Sequence, residues 1–292
     1  MRPLHRSTTL LIAVAMFCVT APAALAQCSW NTLPGVVDFG TSYSVFGGGA
    51  STTTSSGAIT CSGFTQFQVT ATTGSGGVYS PYRIIAAPIN YNVYTNAGMT
   101  TIWGDGTAGT TTYTGTNFAG TNTLAGTAYG FVPGGQDIAP GAYTDTPTVV
   151  LGWRPCCAGA WTNLSGQPLR VRMTILAECR VDTFNLTFPN YNPLNVAALP
   201  GSSTVRVYCT KTTPATFALN NGANALGVQK RLVNAGNFLN YSATLASGSG
   251  SSTTSLAPIG GGIVINASIP AGQDIPAAAA SYLDTLQVIV NY

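Results

Sequence analysis

Few residues of this chain are equipped for chemistry. Its 292 residues include 8 Asp+Glu, 11 Lys+Arg and a single histidine. The carboxylates are Asp38, Asp105, Asp137, Asp145, Glu178, Asp182, Asp274 and Asp284. Two carboxylates suffice for glycoside hydrolysis, so an acid pair among these is the catalytic arrangement to weigh. Four of the eight recur in a repeated pattern, Asp137 with Asp274 and Asp145 with Asp284, which points to turn and strand-end hydrogen bonding instead. The histidine, His5, lies in a leader, and its removal takes away the commonest general base and metal ligand. Serine nucleophiles then have no base to activate them, and no G-x-S-x-G elbow or phosphate loop occurs. The sequence predicts no enzyme, no cofactor and no metal.

The leader is residues 1–26: Arg2 and Arg6, an apolar stretch from Leu10 to Val19, then Ala24-Leu25-Ala26. This is the order of a secretory signal, with cleavage expected after Ala26 and loss of Cys18 with it. Six cysteines remain, Cys28, Cys61, Cys156, Cys157, Cys179 and Cys209, and an even number in an exported chain reads as disulfides. Charged residues make up only 7% of the chain, against about a quarter in ordinary globular proteins. A net charge of +3 without a basic run excludes a footprint for nucleic acid.

The elements that position these residues occur twice. Gln136-Asp137-Ile138 followed by Tyr143-Thr144-Asp145-Thr146 is answered by Gln273-Asp274-Ile275 followed by Tyr282-Leu283-Asp284-Thr285. Cys28 and Cys61 are answered by Cys179 and Cys209, and Ile89-Asn90-Tyr91 by Leu239-Asn240-Tyr241, so each copy predicts its own disulfide. Short runs rich in Val, Ile, Thr, Tyr and Phe, such as Phe67 to Thr70, Ile89 to Tyr94, Thr204 to Cys209 and Ile263 to Ile269, alternate with Gly, Ser and Asn clusters. The expected fold is all-β, two immunoglobulin-like β-sandwich domains, 27–177 and 178–292.

The copies end differently. With Asp145 on Asp284, Trp153 meets Tyr292, and only the first copy continues into Leu169-Arg170-Val171-Arg172-Met173-Thr174-Ile175, which alternates apolar and polar residues as a strand with one buried face does. The second domain is expected to lack its last strand and to accept one from a neighbour, in a groove bordered by Leu286, Val288, Val290 and Tyr292. With the processed chain expected to start at Gln27, one residue before Cys28, a spare strand to donate is not expected, which suits the end of a fibre.

These residues resemble the spore coat protein U family, whose modules form subunits of archaic chaperone/usher pili. The resemblance covers nearly the whole processed chain. It rests on Cys28 with Phe39-Gly40, Cys61, Asn90-Tyr91-Asn92-Val93-Tyr94, Trp103-Gly104-Asp105-Gly106 and the endings at Tyr143 to Thr146 and Tyr282 to Thr285. The second copy lacks the Trp-Gly-Asp-Gly and Phe-Gly segments. A two-module member resembles the tip adhesin of such pili. The resemblance implies a periplasmic chaperone, an outer-membrane usher, a next subunit joined by donor-strand exchange, and a position at the pilus tip on the cell surface, with a role in attachment and biofilm formation. A secreted surface-coat protein and a carbohydrate-binding adhesin are the alternatives.

Between Tyr91 and Tyr143 the first copy is longer than the second between Tyr241 and Tyr282, and added loop length marks specialisation. Met99, Ile102, Tyr113 and Phe118 in this insertion, Trp161 in a second unmatched loop, and Val78 and Tyr79 in a third are the candidate contacts to a surface or glycan target. Trp103 and Trp153 read as structural. Cys156 and Cys157 either close a ring between neighbours or bond other chains, and the ring is preferred because it would stiffen a loop tip.

Overall fold

The computed structural model describes residues 27–47, 51–85, 89–117, 121–156, 159–275 and 281–292. The leader, Phe118, Cys157 and the alanine run at 277–280 lie outside the described residues. Strands dominate, and the helical turns among the described residues are the short 3-10 segments Gly74–Gly76 and Ile259–Gly261. Contacts divide the chain into two units, one comprising mainly Gly47–Gln136 and Ala142–Thr174 with the residues before Ser44, the other mainly Ile175–Tyr292.

The first unit is a β-sandwich. One sheet runs in the order Gln27–Thr32, Ser51–Ser62, Thr121–Val132, Ile89–Tyr94, Arg83–Ile85. The other runs Thr162–Asn163, Thr148–Pro155, Thr65–Ala71, Tyr113–Asn117, with Gln167–Pro168 also on Thr148–Pro155. A smaller sheet places Val171–Ile175 between Val37–Asp38 and Gly141–Asp145. The second unit has a sheet of Leu199–Val205, Ile263–Ile269, Asn237–Leu245 and Lys230–Asn234, and another of Ser249–Ser251, Pro214–Leu219 and Val288–Asn291. Period-two alternation produces its core: Leu239, Tyr241 and Ala243 point inward from Asn237–Leu245 while Asn240, Ser242 and Thr244 face out.

Each unit carries its disulfide between residues directly opposite in an antiparallel pair, Cys28 with Cys61 and Cys179 with Cys209. Loop-closure entropy over 33 and 30 residues is worth about 3 to 4 kcal/mol for each bridge. Cys156 is also disulfide-bonded. The expected ring with Cys157 lies outside the described residues.

A polar clamp is repeated in both units and accounts for the duplicated motif. Tyr91 Oη donates to Asp145 Oδ2 at 2.5 Å, and Tyr241 Oη to Asp284 Oδ2 at 2.6 Å. The other carboxylate oxygen accepts a backbone amide, from Ser75 at 2.9 Å in the first unit and from Asn224 at 3.1 Å in the second. Both loops approach through a left-handed glycine, Gly74 (φ 73°) and Gly222 (φ 87°), where a Cβ would stand 2.1 and 1.9 Å from the aspartate oxygen. Gln136 exchanges hydrogen bonds with both backbone groups of Asn90, at 2.7 and 3.0 Å, as Gln273 does with Asn240 at 2.8 and 2.9 Å. The backbone amides of these glutamines donate to Tyr43 Oη and Tyr191 Oη respectively. Asp145 and Asp284 thus serve architecture.

Burial first, and then the aspartate hydrogen bond, push the phenols of Tyr91 and Tyr241 well above their ordinary value of 10.0. The folded chain holds these protons where the unfolded chain releases them. The stability tied to them is therefore fully present below pH 10.0 and declines as pH rises beyond it. Tyr241→Phe is expected to lower stability by about 1 to 3 kcal/mol at neutral pH. It is also expected to flatten the alkaline decline, both read from urea unfolding at neutral and alkaline pH.

Candidate functional site

In the first unit, Val171–Ile175 closes the sandwich. It pairs in parallel with Val37–Asp38, Val171 beside Val37 and Arg172 beside Asp38. Val37 N donates to Arg170 O at 2.8 Å, Phe39 N to Arg172 O at 2.9 Å, and Thr174 N to Gly40 O at 2.8 Å. Its inward residues Val171, Met173 and Ile175, and Leu169 just before it, are all at most 2% exposed. The outward Arg172 reaches Asp38 at 2.7 Å and, by that hydrogen bond, holds the carboxyl below its ordinary range. The segments Thr162–Asn163 and Gln167–Pro168 leading to the closing strand also cover the free edge of Thr148–Pro155. Val149 and Leu151 on Thr148–Pro155 are fully buried, as is Ile138 of the first copy's Gln-Asp-Ile segment.

The second unit has the same walls but a different cover. Val149, Leu151 and Ile138 correspond to Val288, Val290 and Ile275, and all three of these are only half-buried. Phe184, Leu186, Phe188, Tyr282 and Leu286 pack against the same core in the same half-open state. Val288–Asn291 pairs with Pro214–Leu219 on one side, Val290 opposite Phe217 and Val288 opposite Leu219, and forms the edge of its sheet. Among the described residues no strand takes the place that Val171–Ile175 takes in the first unit. Tyr292 shares the inward alternation of Val288 and Val290 but lies past the last paired residue and is 59% exposed. The phenol oxygen of Tyr282 is buried without a hydrogen-bond partner among the described residues.

The expected contact residues separate into two groups. Val78 is 43% exposed, Met99 sits half-buried at φ 52° in the turn after Ile89–Tyr94, and Ile102 is half-buried. Trp161 is half-buried with the Arg154 guanidinium 4.6 Å above its ring. Tyr79 and Tyr113 differ from expectation. Tyr79 is buried and donates to Ala71 O at 2.8 Å, with Arg83 over its ring. Tyr113 opens a strand rather than a loop, stacks edge-on against Trp103 and donates to the carbonyls of Thr95 and Thr127. Satisfying a phenol and covering a ring draws both residues inward. Trp103 is buried and donates to Val69 O at 2.9 Å, and Trp153 is half-buried in Thr148–Pro155.

Arg83, which the sequence reading passed over, is fully buried and donates to Thr72 O, Asn92 Oδ1 and Trp103 O. Lys230 opens the corresponding edge strand of the second unit, opposite Tyr241 as Arg83 is opposite Tyr91, and donates to Asn220 O at 2.9 Å. The two cations share this register only in the folded sheets, since they lie 8 and 11 residues before their tyrosines in the chain.

Two β-sandwich modules of immunoglobulin type, one closed and one half-open, define the class of this chain. It belongs to the Spore Coat Protein U domain family, whose model matches residues 13–150 and 166–289. Among solved structures it is similar to the complex of a chaperone and a tip adhesion subunit, CsuC–CsuE, from archaic chaperone-usher Csu pili of Acinetobacter baumannii. That match has 18% identity and a TM-score of 0.47, covering 91% of this chain and 100% of the other. Similarity to the CupB6 tip adhesin from Pseudomonas aeruginosa has 9% identity and a TM-score of 0.38, covering 91% and 94% of the two chains. No curated protein matches.

Tyr113→Phe removes the one hydroxyl proton that the Thr95 and Thr127 carbonyls share and is expected to cost about 1 to 3 kcal/mol in thermal or urea unfolding. Trp161→Ala removes a ring stacked under a surface arginine and is expected to cost under about 1 kcal/mol. A reversed order would make Trp161 the structural residue of the pair.

Proposed function

We propose that this chain is the fibre-tip adhesin of a chaperone/usher pilus, with a target-binding first domain (27–177) and a strand-accepting second domain (178–292). One observation carries the reading: Val149, Leu151 and Ile138 of the first copy are fully buried, whereas their counterparts Val288, Val290 and Ile275 in the second are only half-buried on a shared core. A β-edge beside an uncovered apolar face invites a further strand. Each apolar side chain that such a strand buries contributes about 1.5 to 3 kcal/mol before ordering costs.

The donor is the next pilus subunit in the assembled fibre and a periplasmic chaperone before that, with an outer-membrane usher exporting the complex. The subunit similarity to tip adhesins agrees with this reading without carrying it. Val78, Met99, Ile102 and Trp161 in the first domain supply apolar contacts to the target, and attachment through them underlies biofilm formation. Export through the periplasm to the cell surface follows from the leader at 1–26.

The decisive experiment adds a synthetic peptide with the alternation of Leu169 to Ile175 to the processed chain and follows thermal unfolding. The peptide is expected to raise the melting of the second domain, and Val290→Asp is expected to abolish the response. A chain indifferent to every alternating apolar peptide would falsify strand acceptance. Separately, combined replacement of Val78, Met99, Ile102 and Trp161 by serine is expected to reduce cell attachment several-fold while pilus length and number stay unchanged. Undiminished attachment by fully piliated cells rejects these contacts.

A further inference from the structure

Between the two sheets of the first unit lies a cavity of about 230 Å³ that strand acceptance does not use. Trp30, Phe67, Trp103 and Tyr113 form its aromatic walls, and none of its lining residues is charged. Trp103 and Tyr113 have already committed their polar atoms to backbone carbonyls. Trp30 Nε1 and Ser55 Oγ have not: both belong to residues that line the cavity, both atoms are buried, and neither has a hydrogen-bond partner among the described residues. Ser55 is only 7% exposed. Buried donors left unpaired are rare because each forfeits its hydration, so two in one cavity call for an acceptor.

The space is specific to the first copy. Counting back from Cys61 and Cys209, Gly57 corresponds to Val205 and Ser55 to Ser203. In the sheets, Gly57 faces Gly126 and Ser55 faces Ala128, whereas Val205 faces Ile263 and Ser203 faces Ile265. Val205, Ile263 and Ile265 are buried at the heart of the second core. Gly126 and Ala128 thus stand in the first unit where two isoleucines fill the second, while the space over Gly57 is taken by the backbone of Thr32 and Pro34. The second unit also pairs its serine, since Ser203 Oγ donates to Asn185 O at 2.7 Å.

We propose that this cavity is a binding site for a small, uncharged aromatic carbonyl compound. The four rings surround the ligand's ring, and its oxygen accepts hydrogen bonds from Trp30 Nε1 and Ser55 Oγ. A charged ligand would lose its hydration with no counter-charge to replace it. Apolar cavities of about 150 Å³ already admit benzene, so the room is adequate. The site belongs to the first unit alone and stands or falls independently of strand acceptance.

The test titrates the processed chain with 4-fluoroacetophenone by fluorine NMR, beside 4-fluorotoluene, which lacks the carbonyl, and 4-fluorobenzoate, which is charged. Saturable binding is expected for the ketone, weaker binding for fluorotoluene and none for the benzoate. Gly126→Val directs its side chain toward Tyr113, where a Cβ sits at an ordinary 3.7 Å, and is expected to abolish binding while the chain stays folded. Ala128→Ile is the independent filling variant should the first disturb the sheet. Trp30→Phe keeps a ring and removes the donor, and is expected to weaken the ketone about tenfold without changing fluorotoluene. Absence of saturable ketone binding by the wild-type chain, as for a cavity holding only water, overturns the proposal. So does binding that survives in both filling variants, and equal weakening of both probes by Trp30→Phe rejects the assigned hydrogen bonds.

Discussion

A β-sandwich core is dry only if every inward-facing position has something above it, and in this chain that condition turns on one strand. Val171–Ile175, held by backbone hydrogen bonds to Val37, Phe39 and Gly40, seals the first unit. Its three inward side chains, Val171, Met173 and Ile175, are at most 2% exposed. The same walls recur in the second unit without that lid, and the apolar residues there stop half-way out of water. Val149 and Val288 both face inward from strands antiparallel to a corresponding partner, but Val149 has a second neighbour across its other edge and Val288 has none among the described residues.

What duplication retained and what it let go separate cleanly. The tyrosine–aspartate clamp, the left-handed glycine beside it, the glutamine that bridges a strand backbone and the disulfide are present in both units with nearly the same distances. These interactions set where strands begin and which loop meets which, so they constrain the frame. Core volume varies more freely: glycine and alanine at positions 126 and 128 are answered by isoleucine at their counterparts. A frame held by directional polar bonds tolerates large changes in how its interior is filled.

The fold was legible because alternation and repetition are properties of the chain itself. Ile89–Tyr94 and Ile263–Ile269 have the limits the sequence indicates, and the duplicated QDI and YxDT segments mark the clamp. Thr204 to Cys209, read as one strand, is interrupted at Arg206, because a chain passing from one sheet to another must break its ladder. The candidate contacts were less legible. Tyr113 and Tyr79 sit among Gly, Thr and Ser as loop residues do, yet their hydroxyls find backbone carbonyls inside the unit, a three-dimensional coincidence that no spacing announces. The interior space was legible in principle, since aligning the copies sets Gly126 against Ile263, but its unpaired donors emerge only once the strands are in place.

The parallel pairing of Val171 with Val37 also carries a direction. Side-chain alternation reads the same from either end, whereas a parallel ladder does not, because reversing one strand moves every amide and carbonyl out of line. A guest strand that copies this ladder must enter with one end leading. Successive subunits joined in that manner would all point the same way, and the resulting filament would have a distinguishable front and back.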